Sequence, residues 1–477
     1  MKILFVAAEV SPLAKVGGLA DVTGSLPKAL TELGHDVRVM IPGYGVIDTT
    51  RYPVVPLIDG FNIKLMGMAK PIALRVANLT DKVKVYLVDN TEFFGSNEVY
   101  SKDDLRRFLF FCRAVLELLP RLDWHPDVVH CHDWHTALIP MWLKRNDYHY
   151  ASVFTIHNLA YQGPFGDDFL SEFGLSEEWQ SLPADAPGPQ LNFMSQGIIW
   201  ADMVTTVSEN YAREIVTAEY GEGLEHLLRY RQDKLFGIVN GLDYDEYNPF
   251  TDSFIPAKYN SSTLDKRVVN KLALQNQMKL PENAEIPLIG MISRFDEQKG
   301  LDILVESLEF WIRKTQAQMV ILGKGKEYFH NLLEHEVSKY PEQLAVSIGF
   351  DNTLAHLIYG SCDIFLMPSR FEPCGLGQLI AMRCGAVPVV RHTGGLADTV
   401  QNLTPDLGDG SGFIFEDYDA KAVSIAVQRA VDAYKEEKAW RNVMKRIMAL
   451  DFSWQASAKK YEKVYEECLG LKNYVKN

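Results

Sequence analysis

Short apolar, β-branched runs alternate with amphipathic stretches along the whole chain. Residues 3–8 (ILFVAA) are continuously apolar, and after a loop the apolar positions of 19–33 recur at helical spacing until Gly34 stops them. The same reading predicts strands over 36–41, 83–88, 127–131, 152–156 and 203–207. In the second half it predicts strands over 286–292, 318–322, 344–348, 363–367 and 387–390, with helices over 300–314, 326–339 and 375–384. Continuous apolar strands separated by helices imply parallel sheets covered on both faces. The predicted fold class is α/β, with two Rossmann-like, doubly wound domains facing across a cleft. The segment 242–285, rich in Asn, Asp, Ser, Pro and Lys, reads as the linker, with a short helix near 265–279. Residues 453–469 are amphipathic and predict a helix docked on the body. The expected domains are therefore 1–241, 242–452 and a C-terminal helix in 453–477 that returns to the N-terminal domain.

Composition narrows the function classes. The 477 residues hold 48 Lys plus Arg against 62 Asp plus Glu, a net charge of −14, which opposes binding to nucleic acid or an anionic membrane surface. No apolar run approaches the ~18 residues a membrane-spanning helix needs. The opening apolar run ends at Glu9, too early for a secretory leader. The six cysteines include no CxxC pair and several lie in apolar runs, which fits reduced thiols and a cytoplasmic location.

In doubly wound folds, ligands bind beyond the carboxyl ends of the strands, so the residues just after each strand carry the candidate chemistry. Lys15, Gly17, Gly18 and Asp21 follow the first strand, and two glycines at a helix start let backbone N–H groups approach an anion. There is no GxGxxG and no Walker A sequence. The run His130-Cys131-His132-Asp133-Trp134-His135 lacks zinc spacing, so His130 reads as a buried structural histidine and Asp133 as an acceptor for a sugar hydroxyl. His157 and Asn158 offer a donor and an acceptor to a polyhydroxylated ligand. In the second half, Arg294 and Lys299 flank an expected helix start, making a cationic site for a diphosphate. Glu372 lies at a turn fixed by Pro373, Gly375 is expected to begin a helix, and Thr393-Gly394-Gly395 opens another. Cys374 as a nucleophile has no evident basic partner in the sequence.

Together these pieces resemble the bacterial glycogen synthases and plant starch synthases. The resemblance is carried by KVGGLADV (15–22), HDWH (132–135), TIHNLAYQG (155–163), NGLD (240–243), SRFDEQKG (293–300), SRFEPCGL (369–376) and TGGLADTV (393–400), and runs over nearly the whole chain. It implies the GT-B fold of glycosyltransferase family 5. It also implies transfer of glucose from ADP-glucose to the nonreducing 4-OH of an α-1,4-glucan, with retention of configuration, ADP release and neither metal nor other cofactor. By motif position, Lys15, Gly17 and Gly18 would face the diphosphate and sugar, with Asp21 beside them. His157 would contact the 6-OH of the transferred glucose, and Asp133, Asn158 and Asn240 would line the sugar sites. Arg294 and Lys299 would clamp the diphosphate; Glu372 and the backbone of Cys374, Gly375 and Leu376 would hold glucose hydroxyls; Thr393, with Gly394, would complete the phosphate shell. Two positions depart from the wider fold family. Ile380 stands where many sugar-transferring relatives have a second glutamate, and Phe350 replaces the tyrosine often found beneath the adenine.

The implied mechanism sends positive groups toward the departing diphosphate, with front-side attack and a leaving phosphate oxygen taking the proton. Three alternatives remain open from sequence: a same-fold transferase using UDP-glucose or a small acceptor, a pyridoxal-phosphate glucan phosphorylase, and a non-catalytic glucan-binding protein. Oligomeric state is not legible in the chain.

Overall fold

The computed structural model describes residues 1–65, 67–182 and 191–475. These form two compact units, one built from residues 1–241 together with the chain from Trp454 onward, the other from Leu242–Ser453.

The first unit holds β1 (Lys2–Val6), β2 (Asp36–Pro42), β3 (Val55–Leu65), β4 (Met68–Asn78), β5 (Lys84–Asp89), β6 (Val128–His132), β7 (Ala151–Ile156), β8 (Met203–Thr206) and β9 (Leu235–Gly237). Their order in the sheet is β3-β4-β5-β2-β1-β6-β7-β8-β9. Every side chain of β6 and β7 is buried, as strands covered by helices on both faces require. The sheet is not wholly parallel, which corrects the sequence reading: β3 pairs antiparallel with β4, and β4 with β5. The edge strand β3 is mostly solvent-facing, with Asp59, Gly60, Asn62 and Lys64 breaking its apolar pattern, while β4 buries Ile72, Leu74 and Ala77.

The second unit holds β10 (Leu288–Phe295), β11 (Gln318–Gly325), β12 (Leu344–Ile348), β13 (Ile364–Met367), β14 (Val387–Arg391) and β15 (Phe413–Phe415), all paired in parallel in the order β12-β11-β10-β13-β14-β15. Strand order reverses at β1/β6 in the first unit and at β10/β13 in the second. Each unit therefore has the Rossmann-like arrangement, whose ligand crevice opens at that reversal.

Residues 242–285 are not a free linker. Tyr259, Leu264, Leu274 and Leu280 belong to the second unit's core. The helix Arg267–Gln277 is pinned by Lys271, whose ammonium meets Asp363 at 2.7 Å, while Asp363 also takes the Leu288 N–H at 2.9 Å where β10 begins. Both partners are buried, so truncating one costs about 3–5 kcal/mol, mostly for the charge left behind.

The helix Trp454–Val475 belongs to the first unit, where Tyr465 donates or accepts at His130 Nδ1 over 2.8 Å and Ser457 donates to the Val239 carbonyl at 2.7 Å. All six cysteines are buried free thiols. Among the described residues no helix is long and apolar enough to cross a membrane.

Candidate active site

The candidate residues fall beyond the carboxyl ends of parallel strands: β1, β6, β7 and β9 in the first unit, and β10, β12, β13 and β14 in the second. In the first unit, β1 runs into a loop organised by Glu9. One Glu9 oxygen accepts the backbone N–H groups of Val16 at 2.6 Å and Gly17 at 2.8 Å, and the other accepts the Tyr100 hydroxyl. The sequence reading gave the amides of this glycine turn to an external anion; the structure gives two of them to a protein carboxylate. Gly17 is extended (φ −137°) and caps the helix Gly18–Glu32, whose first turn takes no side-chain cap. A side chain at Gly18 would meet nothing within 4 Å, so open space remains there. The Lys15 ammonium pairs with Asp21 at 2.5 Å, which brings these two predicted residues together.

Beyond β6, Asp133 holds an unusual backbone (φ 57°, ψ 179°), a region essentially reserved for glycine and costing about 1–3 kcal/mol elsewhere. Its Oδ1 accepts the His157 backbone N–H at 2.8 Å, tying the end of β6 to the end of β7. Burial pushes the Asp133 carboxyl up to about 7 against the pull of the His157 and Asn158 amides. The His157 imidazole is pushed down to about 3 by burial and is therefore neutral at ordinary pH. His157 Nε2 lies 3.0 Å from His132 Nδ1. Asn158 accepts the Ala160 N–H at 3.1 Å in a tight turn, and Asn240 is buried with its Oδ1 unpartnered among the described residues. His130 is fully buried and both its nitrogens are satisfied, by Tyr465 and by Thr155 at 2.6 Å, as expected of a structural histidine. Among the described residues no group of three or more His, Cys, Asp or Glu is placed to hold a metal.

In the second unit Arg294 is the penultimate residue of β10; its side chain is 56% exposed and contacts Gln298 at 3.1 Å and Asp296 at 3.4 Å. Lys299 lies in the short 3₁₀ turn Glu297–Lys299, ahead of the helix Leu301–Ile312. Its ammonium reaches Glu372 Oε2 at 2.6 Å, and the Ser369 hydroxyl donates to the same oxygen at 3.0 Å. The two residues that the resemblance assigned to different parts of the donor are thus direct partners. Glu372 is held from behind as well. Gly394 has φ 44°, and a Cβ there would run into the Glu372 carbonyl oxygen; the Gly395 N–H donates to that oxygen at 3.1 Å. The second Gly-Gly pair therefore serves close backbone approach to 372–374. One expected helix start shifts: Gly375 (φ 74°) precedes a helix that begins at Gly377. The other stands where expected, with Thr393 capping a helix that spans only Gly394–Thr399. Helices this short supply a weak dipole. Cys374 is buried beside Gly375 and Leu376, Ile380 is buried in the core, and the Phe350 ring is 91% exposed and open to stacking.

Sequence reasoning missed Glu9, Tyr100, His132 and Ser369. The only trace of Glu9 was the abrupt charge ending the first apolar run, and His132 shared a face with the residue already judged structural.

Two Rossmann-like units, each carrying charged and hydrogen-bonding groups at its strand reversal, are the architecture of GT-B glycosyltransferases. Residues 2–230 match the family described as starch synthase catalytic domain, and residues 275–446 match the glycosyl transferases group 1 family. The chain is 46% identical to a glycogen synthase of Moorella thermoacetica, over 98% of this chain and 97% of that one. It is 45% identical to a glycogen synthase of Geotalea daltonii, over 99% and 100% of the two chains. The structure superposes on the catalytic domain of Starch Synthase IV from Arabidopsis thaliana bound to ADP and acarbose, with a TM-score of 0.90, 34% identity, and 98% and 99% of the two chains covered. A sucrose-phosphate synthase from Thermosynechococcus elongatus, at 16% identity and a TM-score of 0.60, shares the fold. The chain belongs to the glycogen synthase and starch synthase family of glucosyltransferases.

Proposed function

We propose that the enzyme transfers glucose from ADP-glucose to the nonreducing 4-OH of an α-1,4-glucan, such as glycogen or a maltooligosaccharide, with retention of configuration and release of ADP. The observation that carries this reading is the Lys299–Glu372 pair with Arg294 at the reversal of the second sheet. It offers both a cation for phosphate and a carboxylate for sugar hydroxyls. Starch Synthase IV, alike over nearly the whole chain, was seen with ADP and acarbose, which supports a nucleotide and a glucan as ligands here.

As the bond from the anomeric carbon to the phosphate oxygen breaks, the sugar becomes positive and ADP gains negative charge. Arg294 and Lys299 neutralise that charge and Lys15 adds a third cation; groups of this kind contribute about 3–4 kcal/mol each. Ligand engagement exchanges the Lys15–Asp21 and Lys299–Glu372 pairings for contacts to phosphate and hydroxyls. His157, neutral through burial, acts on the glucose 6-OH as a hydrogen-bonding group and not as a cation. Asp133, Asn158 and Asn240 line the sugar sites. Gly17, Gly18, Thr393 and Gly394 flank the phosphates, the backbone of Cys374, Gly375 and Leu376 meets the glucose, and Phe350 stacks on the base. The acceptor hydroxyl attacks from the side the diphosphate leaves, and its proton passes to a leaving phosphate oxygen. The reaction needs no metal or other cofactor, and six reduced thiols suit the cytoplasm.

The test is incubation with glycogen and either ADP-glucose or UDP-glucose, scoring nucleotide release and glucose incorporation. Faster turnover with ADP-glucose is expected; preference for UDP-glucose would overturn the donor assignment.

A further inference from the structure

The two histidines at the ends of β6 and β7 pose a question of proton placement. His132 Nδ1 and His157 Nε2 lie 3.0 Å apart, so one ring donates and the other accepts. Burial holds both rings well below the ordinary histidine range, so the pair is neutral and shares a single proton along this contact.

Two arrangements satisfy the contact. If His157 donates from Nε2, then His132 must carry its proton on Nε2. That nitrogen is fully buried and has no hydrogen-bond partner among the described residues. An orphaned N–H in a core is rare and costly. The Phe5 ring cannot take that N–H: His132 stacks on it, ring centres 5.1 Å apart and planes 23° from parallel, so an in-plane N–H passes beside it. If instead His132 donates from Nδ1, its Nε2 is a bare lone pair and no donor is stranded. His157 then carries its own proton on Nδ1, which, unlike His132 Nε2, is not a buried unpartnered atom, in a residue that is only partly buried.

From this geometry we infer that His132 is a positioning residue that fixes His157 in the Nδ1–H tautomer, so that His157 meets the sugar as a hydrogen-bond donor. The inference deepens the proposed role of His157 and rests on it for its catalytic consequence. The tautomer itself is a property of the ligand-free protein. His130, 4.1 Å from His132 between ring centres, is committed to Tyr465 and Thr155 and cannot take over the contact.

The test is side-chain ¹⁵N NMR of histidine-labelled enzyme, with the His157 signals assigned by their loss in His157→Ala. A protonated Nδ1 and a bare Nε2 at His157 are expected. His132→Leu, which removes the donor, should move the proton population toward Nε2 and lower kcat by roughly 100-fold with KM little changed, since a histidine in the wrong tautomer loses its function. His132→Asn, which keeps an N–H near the same place, should restore the tautomer and most of the turnover. An Nε2–H tautomer at His157 in the unsubstituted enzyme overturns the inference without any variant being needed. So does an unchanged tautomer in a folded His132→Leu protein. Near-normal turnover of His157→Ala would instead sink the proposed role of His157 and leave the tautomer assignment standing.

Discussion

The Lys299 ammonium stands 2.6 Å from Glu372 Oε2, joining the turn after β10 to the segment after β13. Both side chains are largely buried, so the pair is structural in the free enzyme as well as a candidate for ligand exchange. Lys299→Ala leaves the Glu372 carboxylate buried and unpaired and should destabilise the protein by about 3 kcal/mol. The double variant Lys299→Met with Glu372→Gln should recover much of that stability but none of the turnover. Denaturant melts and kcat on the single and double variants separate the two effects. Glu372→Gln with unaltered kinetics would remove Glu372 from the site.

Asp133 supplies a pH signature. Its carboxyl sits at about 7 in the fold against an ordinary 3.8, so the folded state holds the proton more tightly than the unfolded chain. Its contribution to stability is full below the unfolded value and is lost as pH rises through about 7. Asp133→Asn keeps an acceptor for the His157 N–H and cannot titrate. The stability of the unsubstituted enzyme relative to this variant should decline between about pH 4 and 7 and then level off. A difference independent of pH would show that Asp133 is not held protonated.

Much of the fold was legible because buried parallel strands are continuous apolar runs. β1, β2, β6, β7 and β12 lie within two residues of their expected bounds. The hairpin β3–β4 was not legible: β3 is mostly exposed, and Pro56, Gly60 and Pro71 interrupt the pattern, although β4 buries Ile72 and Leu74. Strands β9 and β15 have three residues each, too few for any period. Motif positions identified where candidate chemistry lies, but not who touches whom. Lys299 and Glu372 are 73 residues apart, and His132 and His157 are 25 apart. The helix start misplaced at Gly375 reflects a left-handed glycine that caps a turn before the helix begins.

Gly394 tests the support behind Glu372. Its φ of 44° and the Glu372 carbonyl against its α-carbon leave no room for a methyl group. Gly394→Ala should lower stability by about 1–3 kcal/mol and lower kcat by displacing Glu372. Thermal melts and steady-state kinetics check both, and normal values in both would show that the turn yields freely.

The proposed clamp of protein cations on the leaving group predicts metal independence. Activity with ADP-glucose and glycogen should be unchanged after exhaustive EDTA treatment and dialysis. A strict requirement for added magnesium or manganese would contradict the assignment of that task to Arg294, Lys299 and Lys15.

The most direct measurement is a crystal structure of the enzyme with ADP. The β-phosphate is expected within hydrogen-bonding distance of the Arg294 guanidinium and the Lys299 ammonium, with the adenine against Phe350. A nucleotide lodged away from both cations would contradict the account.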